Sequence, residues 1–454
     1  MSSNNTYSGK TYTFNHGVHP DEFKELSSQC SIQRMPFVEE YTLPLGQHIG
    51  APSKTLVKKG DSIKRGQLIA EPGGFVSVGL HSPVDGIVSE IGIFSNPNGQ
   101  VLPGIKIKTD PYSPQKFNEQ PIDIDKLDTK AFIAEVQKAG IVGLGGAAFP
   151  SHVKFAIPEG KECKYIMLNG CECEPFLTAD HRVMVEHPEE IIDGILILNK
   201  FLGAEKAYIG IEANKPDAIE KLHELAKTSD FPIEVIALEV KYPQGAEKML
   251  ISAILGGEVP SGKLPIDLGV LVANVGTIMA ISEYFRKGKP LMERVVTITG
   301  TAIKNPANML VPIGTPMSTV IEYCGGITDD AARYLLGGPM MGSVQKSLDT
   351  PVVKGTSGIL ILGNNEVKDF EEYSCVRCGR CVDACPMFLN PSMMGLLAKK
   401  GLWEEMLEYN VMDCFECASC SFACPSGIPL VQSFRVAKGF LREKQAKEKA
   451  VKDS

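Results

Sequence analysis

Two runs of cysteine share one spacing. The first is Cys375-x-x-Cys378-x-x-Cys381-x-x-x-Cys385-Pro386, and the second is Cys414-x-x-Cys417-x-x-Cys420-x-x-x-Cys424-Pro425. Three thiolates separated by two residues each can wrap one face of a cube of iron and sulfide. The chain carries the fourth away, turned by the proline, to ligate the other cube. Cys375, Cys378, Cys381 and Cys424 would then hold one 4Fe–4S cluster, and Cys414, Cys417, Cys420 and Cys385 a second. Crossing the ligands forces the two clusters close together, which suits one-electron relay. Structural zinc asks for another pattern, pairs of ligands split by a longer loop.

A second feature lies upstream, in Gly143-Leu144-Gly145-Gly146-Ala147-Ala148-Phe149-Pro150. Crowded glycines let backbone N–H groups approach an anionic group, and a helix starting at Ser151 would add its dipole. The loop is not the dinucleotide G-x-G-x-x-G, because Ala148 holds the third glycine position, and it does not fit the Walker pattern. Read alone, it is as much a tight turn as a ligand site. Cys171 and Cys173 form a C-x-C pair with no further ligand nearby, and read as buried inert thiols, as do Cys30, Cys163 and Cys324. The eight histidines show no metal spacing.

These groups need elements to hold them. Asp128 to Ala139 has helical periodicity. KYIMLN is a short apolar strand, Pro188 to Phe201 a helix, AYIGIE a strand, Lys215 to Lys227 a helix and PIEVIAL a strand. Strands alternating with helices predict an α/β domain with a parallel sheet. Upstream, LVKKGDSIKRGQLIAE and HSPVDGIVSEIGIF read as short strands broken by Gly and Asp-Gly turns. That pattern resembles the barrel-sandwich of biotinyl and lipoyl domains. The hairpin tip, EPGGFVSVGL, lacks the cofactor-bearing lysine of those domains, so a docking module is expected. VVTITG, CGGIT and LLGGPMMGS suggest a small β-grasp domain. SMMGLLAKKGLWEEMLEYN, between the cysteine runs, has helical spacing with a core-forming Met and Trp403 stripe, which favours a helical ferredoxin. The closing LREKQAKEKAVKDS reads as a solvated helix.

The expected fold class is therefore multidomain α/β. It comprises a barrel-sandwich over 1–125, an α/β domain over 126–290, a β-grasp domain over 291–362, a two-cluster ferredoxin over 363–440 and a charged tail over 441–454. Lys plus Arg number 46 and Asp plus Glu 54, a net charge of −8. No basic surplus exists to neutralise a phosphate backbone, which speaks against nucleic acid as partner. Leu264 to Ile281, the most apolar stretch, is interrupted by Asp267 and Asn274, so no spanning helix is expected. Nor does MSSNNTYSGK have the form of a secretory signal. Eight of the 13 cysteines lie between Cys375 and Cys424, and an intracellular setting makes such a cluster metal-binding.

GLGGAAFP with Lys154 resembles the loop of the FMN-bearing, NADH-oxidising subunit of respiratory complex I. Asn169-Gly-Cys171-Glu172-Cys173-Glu174-Pro175 falls where that subunit has an acidic Asn-Ala-Asp-Glu-Ser-Glu-Pro stretch. Asp180 and Arg182 echo its Asp-Arg pair, and YPQGAEKMLI and VANVGT match two further flavin segments. With the openings HGVHPDEFKEL and PLGQHIGAP and this domain order, the chain is similar over nearly its whole length to the RnfC family, a component of the Rnf electron-transport complexes.

The resemblance implies that Gly143, Gly145, Gly146 and Ala147 cradle FMN, with Lys154 near its phosphate. Asn169, Glu172 and Asn274 would bond its phosphate-ribityl chain or ring, with Tyr242 and Gly245 close by. Phe149 would stack on the nicotinamide nucleotide, Glu174 would sit near the nicotinamide and Glu247 near a ribose. Cys171, Cys173 and Ala246 depart from the complex I pattern. NAD(H) would be the substrate. The partners would be membrane-embedded and ferredoxin-type subunits of an ion-translocating ferredoxin:NAD oxidoreductase, with this chain peripheral on the cytoplasmic face of the cell membrane. Two other readings share these features, a flavin and iron–sulfur cobalamin reductase and a non-catalytic electron-transfer adapter.

Overall fold

The computed structural model describes residues 7–367 and 371–452. Residues 1–6, 368–370 and 453–454, which the expected sandwich, ferredoxin and tail include, lie outside the described residues.

Two antiparallel sheets form the barrel-sandwich. One runs Glu40–Pro44, Val101–Thr109, Gly86–Ser95, Ser62–Ile63, and the other Lys54–Thr55, Leu68–Glu71, Leu80–His81. Alternate residues point inward, as the two-residue strand period demands: Tyr41, Leu43, Val88, Ile105 and Ile107 are fully buried. The hairpin tip after Glu71 is clamped onto the α/β region. Gln137 donates to the carbonyls of Gly74 and Ser77, and Nε2 of His152 lies 2.7 Å from the Phe75 carbonyl.

Four parallel strands form the α/β sheet, in the order Ile233–Leu238, Lys206–Glu212, Tyr165–Gly170, Val270–Asn274. Three strands are laid down in one direction, and the fourth returns to the far side of the first. Helices Pro188–Leu202 and Val275–Lys287 pack against each other. Their apolar residues join a core running on into the sandwich. Strands buried on both faces read as continuous apolar runs, as IMLN and VLVAN do here.

A six-stranded mixed sheet forms the β-grasp region. Its central strands, Glu293–Thr299 and Gly358–Gly363, are buried throughout, and helix Met317–Tyr323 joins the same core. One of its edge strands is Ile32–Arg34, parallel to Ala307–Pro312. Tyr12 bridges Leu238, and Val18 bridges Tyr242. The first part of the expected sandwich is thus an arm that pairs with the other two regions. Three-residue strands carry no periodicity to reveal a partner so far along the chain.

The C-terminal region is helical: Arg380–Asp383, Pro391–Lys399, Ser419–Phe422 and Leu430–Lys452. The helical stretch expected between the cysteine runs breaks after Lys399 and resumes as a tighter 3-10 turn, Glu405–Tyr409. Met394, Leu397, Met406 and Phe434 form its core, and Trp403 packs on Phe440 with ring centroids 4.5 Å apart.

Candidate functional site

In an open parallel sheet, a crevice forms outside the carboxyl ends of the strands where the order reverses. Here the reversal falls between Tyr165–Gly170 and Val270–Asn274, whose ends are register partners at Asn169 and Asn274. Asn274 caps helix Val275–Lys287. Its Oδ1 accepts from the Gly276 and Thr277 N–H groups, and its Nδ2 donates to Asp180 at 2.7 Å. Asn169 donates to the Gly245 carbonyl at 2.7 Å and accepts from the Cys171 N–H.

The glycine loop lies against this point. Leu144 N–H donates to Thr277 Oγ1 at 2.9 Å, and Gly143 N–H to the Phe149 carbonyl at 2.8 Å. Gly145, Gly146 and Ala147 are exposed, and Phe149 is half-buried. A Cβ on Gly145 would lie 3.5 Å from Asn274 Nδ2. Gly146 has φ of 119°, and a Cβ there would project into open space. Lys154 stands beside the crevice, ion-paired with Glu247 and within 3.4 Å of the Val272 carbonyl. An open backbone cradle with an adjoining lysine fits a planar, phosphate-bearing group such as FMN.

Other expected contacts have different partners. Both oxygens of Glu172 accept N–H bonds from Asp180 and His181, at the start of helix Ala179–Glu186. Burial, with Glu172 alongside, pushes the Asp180 carboxyl above its ordinary range. Arg182 pairs with Glu186 rather than Asp180. The Glu174 carboxylate, expected at the nicotinamide, accepts N–H bonds from Met340 and Met341 of the β-grasp region, at 3.0 and 2.9 Å. Burial lifts it to about 7. Tyr242, expected at the flavin, is buried and turns its hydroxyl to the Cys417 carbonyl, 2.8 Å away.

Cys171 and Cys173 hold the 242–247 loop. Gly245 N–H reaches the Cys173 sulfur at 3.4 Å, and a Cβ on Gly245 would meet the Cys171 carbonyl at 2.5 Å. Burial raises both thiols, so neither is poised as a nucleophile.

Some supporting residues escaped the sequence reading. Arg294 donates to the Leu144 carbonyl from behind the glycine loop, at 3.2 Å. Lys24 donates to the Glu174 and Leu177 carbonyls. A lone arginine ahead of the apolar VVTITG was the available signal for the first. Nothing marked the second.

The two cysteine runs have matching backbones. The residues before and after the second cysteine of each are left-handed: Arg377 (56°) and Gly379 (80°), Glu416 (64°) and Ala418 (65°). The third cysteine is then the second residue of a short helix. Burial raises the Cys381 thiol, and Cys424, Cys375 and Cys378 stand close enough to raise it further. Burial likewise lifts Cys414 to about 11, with Cys417 and Cys385 adding to it. A small recess is bounded by Cys385, Cys414, Cys417 and Cys420, with Leu389 and Phe434 among its apolar walls. Cys385 of the first run thus lies beside Cys414, Cys417 and Cys420 of the second, and Cys424 of the second run lies near Cys381 of the first. Among the described residues, no three His, Cys, Asp or Glu side chains close on one point as they would round a single ion. A cubane spreads its four ligands over the corners of a larger body. Cys375 and Cys378 are exposed, whereas Cys385 and Cys420 are buried.

Four families match along the chain: an RnfC barrel-sandwich hybrid domain over 12–112, a Nuo51 FMN-binding domain over 136–283, an SLBB domain over 295–344 and a 4Fe-4S dicluster domain over 370–428. The C component of the proton-translocating ferredoxin:NAD(+) oxidoreductase complex of Clostridium ljungdahlii is 45% identical over 445 residues, covering 96% of each chain. The Na(+)-translocating counterpart of Acetobacterium woodii is 44% identical, over 94% of this chain and 96% of the relative. The C component of the ion-translocating oxidoreductase complex of Rhodobacter capsulatus is 41% identical, over 97% and 85%. Among solved structures, an NAD+-reducing NiFe hydrogenase in the H2-reduced state gives a TM-score of 0.49 at 17% identity, over 68% of this chain and 63% of that one.

Proposed function

Because this chain belongs to the RnfC family, the C components of the ion-translocating ferredoxin:NAD(+) oxidoreductases, we propose that it is the NAD-linked electron-transfer subunit of such a complex. One arrangement carries the reading. An open glycine loop at the sheet's switch point and two groups of four cysteines occur in one chain, joined through the Tyr242–Cys417 contact. FMN held in the cradle supplies conversion between the electron pair of a hydride and the single electrons that 4Fe–4S clusters accept.

The chain's own residues bind and orient. Gly145, Gly146 and Ala147 leave backbone exposed for the flavin, Gly143 closes the loop onto Phe149, and Lys154 supplies a positive charge that a phosphate can draw from Glu247. Asn169 and Asn274 hold the two loops that border the crevice. Phe149, half-buried beside the cradle, offers a face on which a nicotinamide nucleotide can stack. Cys375, Cys378, Cys381 and Cys424 hold the outer cluster, and Cys414, Cys417, Cys420 and Cys385 the inner one. Glu174 and Tyr242 act as supports rather than as contacts to the nucleotide.

No helix among the described residues is long and apolar enough to cross a membrane. Ion movement therefore belongs to membrane-embedded partner subunits, with this one peripheral on the cytoplasmic face, where NAD(H) and ferredoxin meet it. The deciding experiment is anaerobic purification with flavin and iron quantitation, followed by NADH titration. About one flavin and eight irons per chain, with flavin and cluster absorption bleached by NADH, is the expected result. Full iron without flavin would leave the chain an electron-wiring adapter.

A further inference from the structure

The order in which the two clusters meet the flavin domain can be argued from one side chain. Tyr242 lies at a junction of all the regions except the sandwich. Its ring shares a small apolar cluster with Val18 of the arm and Ala384 of the ferredoxin region, with Met340 and Cys417 packed against it. Its hydroxyl donates to the Cys417 carbonyl at 2.8 Å. Cys417 belongs to the inner thiol set, and Ala384 immediately precedes Cys385 of the same set. Five residues on from Tyr242, Glu247 is ion-paired with Lys154 at the cradle. One short loop therefore touches the inner cluster's ligands at one end and the flavin cradle's lysine at the other. The outer set presents Cys375 and Cys378 to solvent instead.

We propose that Tyr242 is a positioning residue for electron transfer: it fixes the Cys417 peptide against the flavin domain, so that the inner cluster exchanges electrons with the flavin and the outer cluster with the partner protein. The inference rests on the function proposed above and adds the direction of the relay within this chain. A donor on the carbonyl of a ligating cysteine draws negative charge away from the cluster. It thereby stabilises the reduced, more negative state.

The test uses Tyr242→Phe in the full chain, purified anaerobically, with Ser261→Ala as control. Ser261 makes another polar contact to the ferredoxin region, to Asp413 at 2.6 Å, without touching a cysteine or its peptide. Each cluster is titrated with dithionite and followed by electron paramagnetic resonance, without NADH, so that this test and the flavin test fail separately. In Tyr242→Phe the inner cluster's midpoint potential should fall and its signal shift, with the outer cluster unchanged. In a separate assay with NADH, flavin-to-cluster electron transfer should slow roughly two- to tenfold, as loss of one net hydrogen bond implies, at unchanged KM for NADH. Ser261→Ala should leave both potentials at wild-type values. Selective loss of the inner cluster from Tyr242→Phe would also support the proposal. An unaltered inner cluster, a shift confined to the outer one, an equal shift in Ser261→Ala, or loss of both clusters or of the flavin would overturn it.

Discussion

Asn169 and Asn274 are register partners at the carboxyl ends of adjacent parallel strands, and their side chains govern different loops. Asn169 holds Gly245, and Asn274 caps the helix against which the glycine loop rests. The crevice between them is framed by the chain's own hydrogen bonds. Such preorganisation reduces the ordering cost of binding.

Gly146 is the most exposed test of that frame. Its φ of 119° suits glycine, and the space a Cβ would enter is open. Gly146→Val should therefore both strain the loop and fill the cradle. Flavin content after denaturing extraction should fall roughly tenfold or more, with iron content unchanged. Equal flavin in variant and wild type would remove the cradle from the assignment.

Crossed ligation separates the two clusters genetically. Cys385 lies in the first run but faces the recess made by Cys414, Cys417 and Cys420. Cys385→Ala should abolish or convert the inner cluster and spare the outer one. Electron paramagnetic resonance of the reduced protein distinguishes the two, and loss of the outer signal alone would show that each run closes on itself.

Glu174 gives a pH signature. Burial raises its carboxyl from 4.5 to about 7. Between those values the folded chain keeps a proton that the unfolded chain has released, so this group's contribution to stability declines as pH rises through the window. Glu174→Gln cannot ionise and lacks that slope. Its unfolding midpoint should gain on wild type as pH is raised from about 5 to about 8. Parallel pH profiles for the two proteins would contradict the assignment.

Lys354 joins three regions. Fully buried on the β-grasp side, it donates to the carbonyl of Gly79 in the sandwich at 2.7 Å and to that of Gly140 in the α/β region at 2.6 Å. Lys354→Met keeps much of the bulk and leaves both carbonyls without a donor. A loss of roughly 2–4 kcal/mol is expected, read as a lowered melting midpoint in calorimetry. A midpoint unchanged from wild type would mean that water or another donor replaces the ammonium.

The chemistry of the tail was legible in the chain, because eight cysteines at one repeated spacing are the mark of 4Fe–4S clusters. The parallel sheet was legible too: IMLN and VLVAN must be buried on both faces, and helices of matching amphipathicity stand between the strands. The three-residue strand Ile32–Arg34, the turn of Tyr242 toward Cys417 and the meeting of Glu174 with Met340 were not. Each depends on two segments far apart in the chain arriving at one place. Tyrosine and glutamate carry no mark of which neighbour they will meet. Spacing along a chain specifies what its own backbone can bring together within a few residues. Partners chosen when separate domains pack are set by the summed fit of many surfaces, and no single residue type records that fit.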